Sequence, residues 1–190
     1  MKYRLAWTFV SLLTAVSVLF GFGVIAAFLF FLEHYQIPQD GMSPTLPSGT
    51  HLISLRRPYA SVSEVKRGDI VVFVHSSQGR PYHAVWRVIA LPGDLVEFKD
   101  HELFMNGVSL AGQVIRSDED RILFREQLGE TSYTVAYDKR PEKLRSKAGV
   151  VQIPKGQLYV LGDNRDHAYD SSDYGPILFS SVVGKVLKWW

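Results

Sequence analysis

The chain has 190 residues, of which 21 are basic and 19 acidic, for a net charge of +2. That length holds one ordinary domain plus an anchor rather than two full domains, and the balanced charge, with no basic run, argues against a nucleic-acid surface. With no cysteine, disulfides, thiolate zinc sites and a cysteine nucleophile are excluded, so the fold must be held by its own core.

The first segment differs from the rest. Lys2 and Arg4 precede a run from Leu5 to Leu32 without a charged residue. A helix needs about 20 apolar residues to cross a hydrocarbon core. A cleaved export signal has an apolar stretch of only about 7 to 15 residues and then a small-x-small site, which "FLFFLEHYQ" does not offer. Residues 1–34 therefore read as a cytoplasmic N-terminus and an uncleaved single-pass anchor in the plasma (inner) membrane bilayer. The positive N-terminus stays inside and residues 35–190 form an extracytoplasmic domain. Trp7 and Tyr35 stand where interfacial aromatics are useful. Thr8, Ser11, Thr14, Ser17, Gly21 and Gly23 are small enough to admit a second helix, or are simply tolerated in a lone anchor.

Beyond the anchor the pattern is of strands and turns. "HLISL" (51–55), "DIVVFV" (69–74), "HAVWRVIAL" (83–91), "DLVEFK" (94–99), "ELFMNGV" (102–108) and "QLYVLG" (157–162) are β-branched or aromatic runs, most bounded by Gly, Pro, Asp or Asn. "RGD" (67–69), "LPGD" (91–94) and "NGV" (106–108) are turn signals. Between Asp118 and Gly149 the composition becomes charged and polar, which predicts a surface insertion or small subdomain within a variable region near 111–150. The final run, "SVVGKVLKWW", is a strand whose Trp189 and Trp190 either rest at a membrane interface or pack on the core.

Three runs occur together in order: "MSPTLPSG" (42–49), "WRVIALPGDLVEF" (86–98) continuing into "HELFMNGVSL" (101–110), and "YVLGDNRDHAYDSSDYGPI" (159–177). Their order and spacing resemble the type I signal peptidase family of membrane-anchored serine endopeptidases. The resemblance implies a mainly β, antiparallel signal-peptidase-like fold behind one N-terminal transmembrane helix. It also implies an active site near the membrane and a substrate bound as an extended strand.

In that family a serine is the nucleophile, and such a hydroxyl is weak until a neighbouring base takes its proton. The base is a lysine, in a variant of triad logic. It works only if burial lowers its pKa from about 10.4 towards about 7. The resemblance places serine, lysine and an orienting serine at positions that hold Gly41, Trp86 and Ala168 here. None of the three supplies a hydroxyl or an amine, so no catalytic residue is expected at these positions, and Trp86 would fill the apolar space a lysine needs. Ser172 also departs, standing where many members carry arginine, and Gln39 and Asp40 occupy the approach to the site.

Ser43 is the fallback nucleophile. Its base would be His83 or His167, the latter oriented by Asp170. His83 lies at an odd offset from Trp86, which on a strand turns the two to opposite faces. Asp163, Asn164 and Asp166, in a Gly-rich turn, read as caps of backbone amides. The supporting scaffold comprises Arg87, Gly162, Asp163 and Asp170. Glu and His are nowhere spaced as ligands, so no metal and no other cofactor are expected.

Peptide binding uses other groups than cutting. Gly41, Met42, Ser43 and Pro44, with Asp69, Val71 and Phe73 of the 69–74 strand, form the expected peptide-binding set, acting through main-chain pairing at a sheet edge. The expected partners are signal-peptide-bearing or pilin-like proteins. A non-cutting member acting in export or surface assembly is the first reading, an active endopeptidase using Ser43 the second, and a subunit pairing with an active paralogue through its helix the third.

Overall fold

The computed structural model describes residues 2–99, 102–140 and 149–190, without the side chains of residues 2–12, 27 and 29. A helix α1 (Lys2–Phe30) leads into β1 (Leu32–Gln36) and β2 (His51–Arg56). A long antiparallel pair follows, β3 (Ile70–Ser77) and β4 (Arg80–Ala90), then β5 (Leu95–Lys99), β6 (Glu102–Met105), β7 (Val108–Ser109) and β8 (Val114–Ser117). The remaining strands are β9 (Arg121–Leu128), β10 (Thr131–Asp138), β11 (Val150–Gln152), β12 (Gln157–Leu161), β13 (Ile177–Leu178) and β14 (Val182–Trp189), with a one-turn helix α2 (Ser171–Tyr174) before β13.

The expected anchor falls on α1, and the side chains of its first third lie outside the described residues. Among the described residues no helix is long and apolar enough to cross a membrane. The described part still turns its apolar side chains outward, with Leu13, Leu19, Phe20, Phe22, Ile25 and Phe28 all more than half exposed.

The domain is mainly β and antiparallel. A seven-stranded sheet has the order β1-β2-β14-β3-β4-β12-β13, a four-stranded sheet the order β11-β5-β6-β7, and a three-stranded sheet the order β10-β9-β8. Asn106 and Gly107 join β6 to β7 with φ of 53° and 78°, the two-residue turn that an Asn-Gly pair favours.

Alternation along β4 and β12 divides the interior. Trp86 and Val88 of β4 and Leu158 and Val160 of β12 enter one core, with Leu52, Val71 and Phe73. Ile89 and Ala90, with Tyr159 and Leu161, enter a second core beside Val96, Leu103 and Leu128. Side chains on a strand point alternately to its two faces, and a register shift in the β4–β12 pairing, between Tyr159 and Val160, lets Ala90 join Ile89 in the second core.

The charged stretch after Asp118 contains the β9–β10 hairpin, which sends Leu128, Tyr133, Val135 and Tyr137 into the second core. Residues 141–148, most of the "DKRPEKLRSK" run, lie outside the described residues. Trp189 and Trp190 do not enter the core: they are 44% and 60% exposed, and Trp190 stacks on His51.

Candidate active-site cleft

The loop from Ile37 to Thr50 folds on itself before β2. The Leu46 amide donates to the Met42 carbonyl at 2.8 Å and the Ser43 amide to the Asp40 carbonyl at 2.9 Å, while Asp40 Oδ1 accepts from the Ser48 amide at 2.8 Å. Met42 and Leu46 are buried and anchor the loop. Asn164, in the turn after β12, fastens it: its amide donates to the Gly41 carbonyl and its Nδ2 to the Asp40 carbonyl, each at 3.1 Å.

Gly41, Trp86 and Ala168 meet in space. A Cβ on Gly41 would lie 2.4 Å from Cη2 and 2.7 Å from Cζ3 of Trp86, and 3.6 Å from the Ala168 Cα. On the other side a Cβ on Gly162 would lie 2.3 Å from the Ala168 Cβ and 2.4 Å from the Gly41 carbonyl oxygen. Two glycines and an alanine thus make room for one buried indole. Its N–H lies beside the Tyr174 hydroxyl without reaching good hydrogen-bond geometry. Burial, reinforced by the Asp170 carboxylate, pushes the Tyr174 phenol above its ordinary range.

Ser43 is half-buried, and among the described residues no side chain hydrogen-bonds its hydroxyl. His83 is exposed against the Tyr35 ring, on the face of β4 opposite Trp86. His167 sits with Nε2 2.7 Å from Oδ2 of Asp138. The expectation that Asp170 orients His167 is corrected. Asp170 is fully buried and caps α2, accepting from the Ser172 amide at 3.0 Å, the Ser172 hydroxyl at 2.7 Å and the Gly162 amide at 2.9 Å. A short polar side chain at a helix start binds exposed amides.

Asp163 is also corrected, because its partner is a guanidinium rather than a backbone amide. Its carboxylate takes Nε and Nη2 of Arg87 at 2.8 and 2.6 Å, and Arg87 lies 4.3 Å over the Tyr133 ring. Burial alone would lower the Arg87 pKa, but Asp163 outweighs it and holds the guanidinium above its usual range. Arg165, fully buried, pairs with Glu126 of β9 and donates to the Tyr137 hydroxyl at 3.0 Å. Glu126 is a site-supporting residue the sequence reading missed, since its partner is distant in the chain. Asp166 does cap a backbone amide, that of Asp138, at 2.8 Å.

A groove of about 200 Å³ runs between residues 35–39 and residues 82–86 of β4, with Met42 also lining it. Along 80–87 one edge of β4 pairs with β3, while its other edge meets β12 only from Arg87 onward. Among the described residues no strand pairs with the 82–86 edge facing the groove, so its backbone groups could accept an added strand. Of the expected peptide-binding residues, Met42 lines this groove and Gly41 lies against Trp86, which also lines it. Ser43 and Pro44 stay in the loop. Val71 and Phe73 are fully buried, because β3 is covered on both faces, and Asp69 is held by Tyr59 at 2.6 Å and Lys185 at 2.7 Å. The groove walls are instead Tyr82 to Trp86 and the segment before Gly41.

Residues 6–190 match the family described as signal peptidase, peptidase S26. The chain is 32% identical over 163 residues to signal peptidase I of Bacillus caldolyticus, covering 85% of this chain and 81% of that protein. It is 30% identical over 191 residues to signal peptidase IB of Staphylococcus aureus, covering 100% of this chain and 92% of the relative. A crystal structure of a signal peptidase I from Enterococcus faecalis aligns at 29% identity and a TM-score of 0.41, over 66% of this chain and 97% of its own. The family match over residues 6–190, with the two relatives at 32% and 30% identity, leads to one assignment: the chain belongs to the signal peptidase family, peptidase S26.

Proposed function

We propose that this chain is a signal-peptidase-like protein that holds extended segments of exported, signal-peptide-bearing or pilin-like proteins and does not cut them. The observation that carries this reading is the Gly41–Trp86 contact, in which an indole fills the space a nucleophile's side chain would need. Acyl transfer by a serine requires a hydroxyl and a base within hydrogen-bond reach. Here the meeting residues offer a backbone, an indole and a methyl group. Binding survives such losses, since removing a catalytic serine costs a peptidase on the order of a million-fold in rate without removing its binding groups.

The same reading has α1 as a single-pass anchor with its N-terminus cytoplasmic. A helix apolar all round requires lipid or a partner around it, and the uncharged run from Leu5 to Leu32 is long enough for lipid.

The second reading, an active endopeptidase, is favoured by the names of the relatives and by Ser43, two residues from Gly41. One experiment separates the two. The full chain in detergent is mixed with a preprotein, and both cleavage and binding of a labelled cleavage-site peptide are followed. The expected result is saturable binding, no cleavage, and no change on Ser43→Ala. Cleavage that disappears with Ser43→Ala would overturn the non-cutting reading.

A further inference from the structure

A second cavity, of about 710 Å³, lies where the end of α1 meets the sheet, within the size range of small-molecule sites. Its apolar lining is Phe30, Phe31, Val182 and Val183, and its polar lining is Glu33, Arg56, Arg57, His83 and Ser180. Arg56 is committed, in an ion pair with Glu33 and lying 5.9 Å over the Phe30 ring. Arg57 is different. Its side chain is exposed and, among the described residues, has no hydrogen-bonded or ionic partner. Its backbone is held in the left-handed region, φ 46°, with its amide donating to the Val183 carbonyl at 3.1 Å. A non-glycine residue in that region is strained, and such strain concentrates at ligand sites.

The cavity thus combines an uncommitted guanidinium, surplus positive charge and an apolar lining continuous with an outward-facing apolar helix. We propose that it binds the phosphodiester headgroup of an anionic glycerophospholipid, with Arg57 as the phosphate ligand and the acyl chains lying along the end of α1. The planar fork of arginine fits two phosphate oxygens at once, and a juxtamembrane cation is drawn to anionic lipid. A free phosphate would use the guanidinium but not Phe30 and Phe31, so the occupant is a lipid. His83 lines both this cavity and the peptide groove, so the headgroup would sit beside the segment that receives peptide. The inference rests on the reading of α1 as an anchor.

The test uses the full chain, delipidated in a non-ionic detergent and examined by native mass spectrometry. Phosphatidylglycerol, phosphatidylcholine and inorganic phosphate are offered separately. Retention of one phosphatidylglycerol, preferred over phosphatidylcholine, is expected, with affinity about fivefold weaker in Arg57→Asn, the weight of one basic residue against anionic lipid. Asparagine tolerates the left-handed backbone, and Arg57→Lys, which keeps the charge, should recover part of the loss. Equal lipid retention by Arg57→Asn would overturn the proposal, as would a site saturated by phosphate alone. Alkaline carbonate extraction of the native membrane separates the two claims. Release of the wild-type chain sinks the anchor reading, whereas lipid retention in detergent is scored independently of it.

Discussion

A Cβ placed on Gly41 would lie 2.4 Å from Cη2 of Trp86, so an indole at 86 leaves no room for a side chain at 41. The indole of Trp86 occupies the space that a side chain at 41 would need.

This exclusion predicts strong coupling. Gly41→Ala should destabilise the domain by about 1–3 kcal/mol through overpacking, and Trp86→Ala by about 3–5 kcal/mol through the cavity it leaves. In the double variant the alanine at 41 has room, so the total should fall short of the sum by about 0.5–3 kcal/mol. Denaturant unfolding of the four proteins measures this, and additive losses would mean the indole swings away at little cost.

Restoring the relay requires all three positions. Gly41→Ser alone should be unstable and inactive, because Trp86 blocks the hydroxyl. Gly41→Ser with Trp86→Lys and Ala168→Ser should cleave a preprotein, with a rate that rises with pH as the buried lysine loses its proton. A folded triple variant without cleavage would place the deficit in the groove rather than in the relay.

The Arg165–Glu126 pair ties the turn after β12 to the β9–β10 hairpin. Glu126→Gln leaves a fully buried guanidinium without its counter-charge and should cost about 3–5 kcal/mol. Arg165→Met with Glu126→Leu removes both charges and should cost less than the single change. Thermal unfolding of both variants decides the order.

Asp94 sets an acid limit. Burial pushes its carboxyl up, but the Arg67 guanidinium, Asn106 and the Leu91 amide outweigh burial and hold the pKa below its usual value. Because the folded pKa is the lower one, the stabilisation is complete above the unfolded carboxylate pKa of about 4 and fades as pH falls through the folded value. Asp94→Asn should cost about 1–3 kcal/mol at neutral pH and flatten the decline below pH 4. Denaturation midpoints taken across that range test it.

The strands at β2 to β6 and β12 were legible because β-branched and aromatic runs stop at turn residues. β1 was not, because Leu32 continues the apolar run of α1 without a break. The β9–β10 hairpin was hidden by its charges. Glu126 reads as a surface residue until Arg165, 39 positions away, is folded against it. The meeting of Gly41, Trp86 and Ala168 was implied by the family resemblance, but the groove wall was not. Val71 and Phe73 have the composition of a binding edge, yet β3 is central in its sheet, and hydrophobicity alone does not distinguish a central strand from one with a free edge.

The position of β14 orders events during synthesis. It lies between β2 and β3, so the main sheet stays split until the final strand has arrived. Asn164 reaches the Asp40 carbonyl across 124 positions of sequence. Contacts between such distant segments form late, after their loop-closure entropy has been met. The loop that carries Gly41 is therefore fixed only once the turn after β12 is in place, so one wall of the groove is among the last parts of the domain to be set.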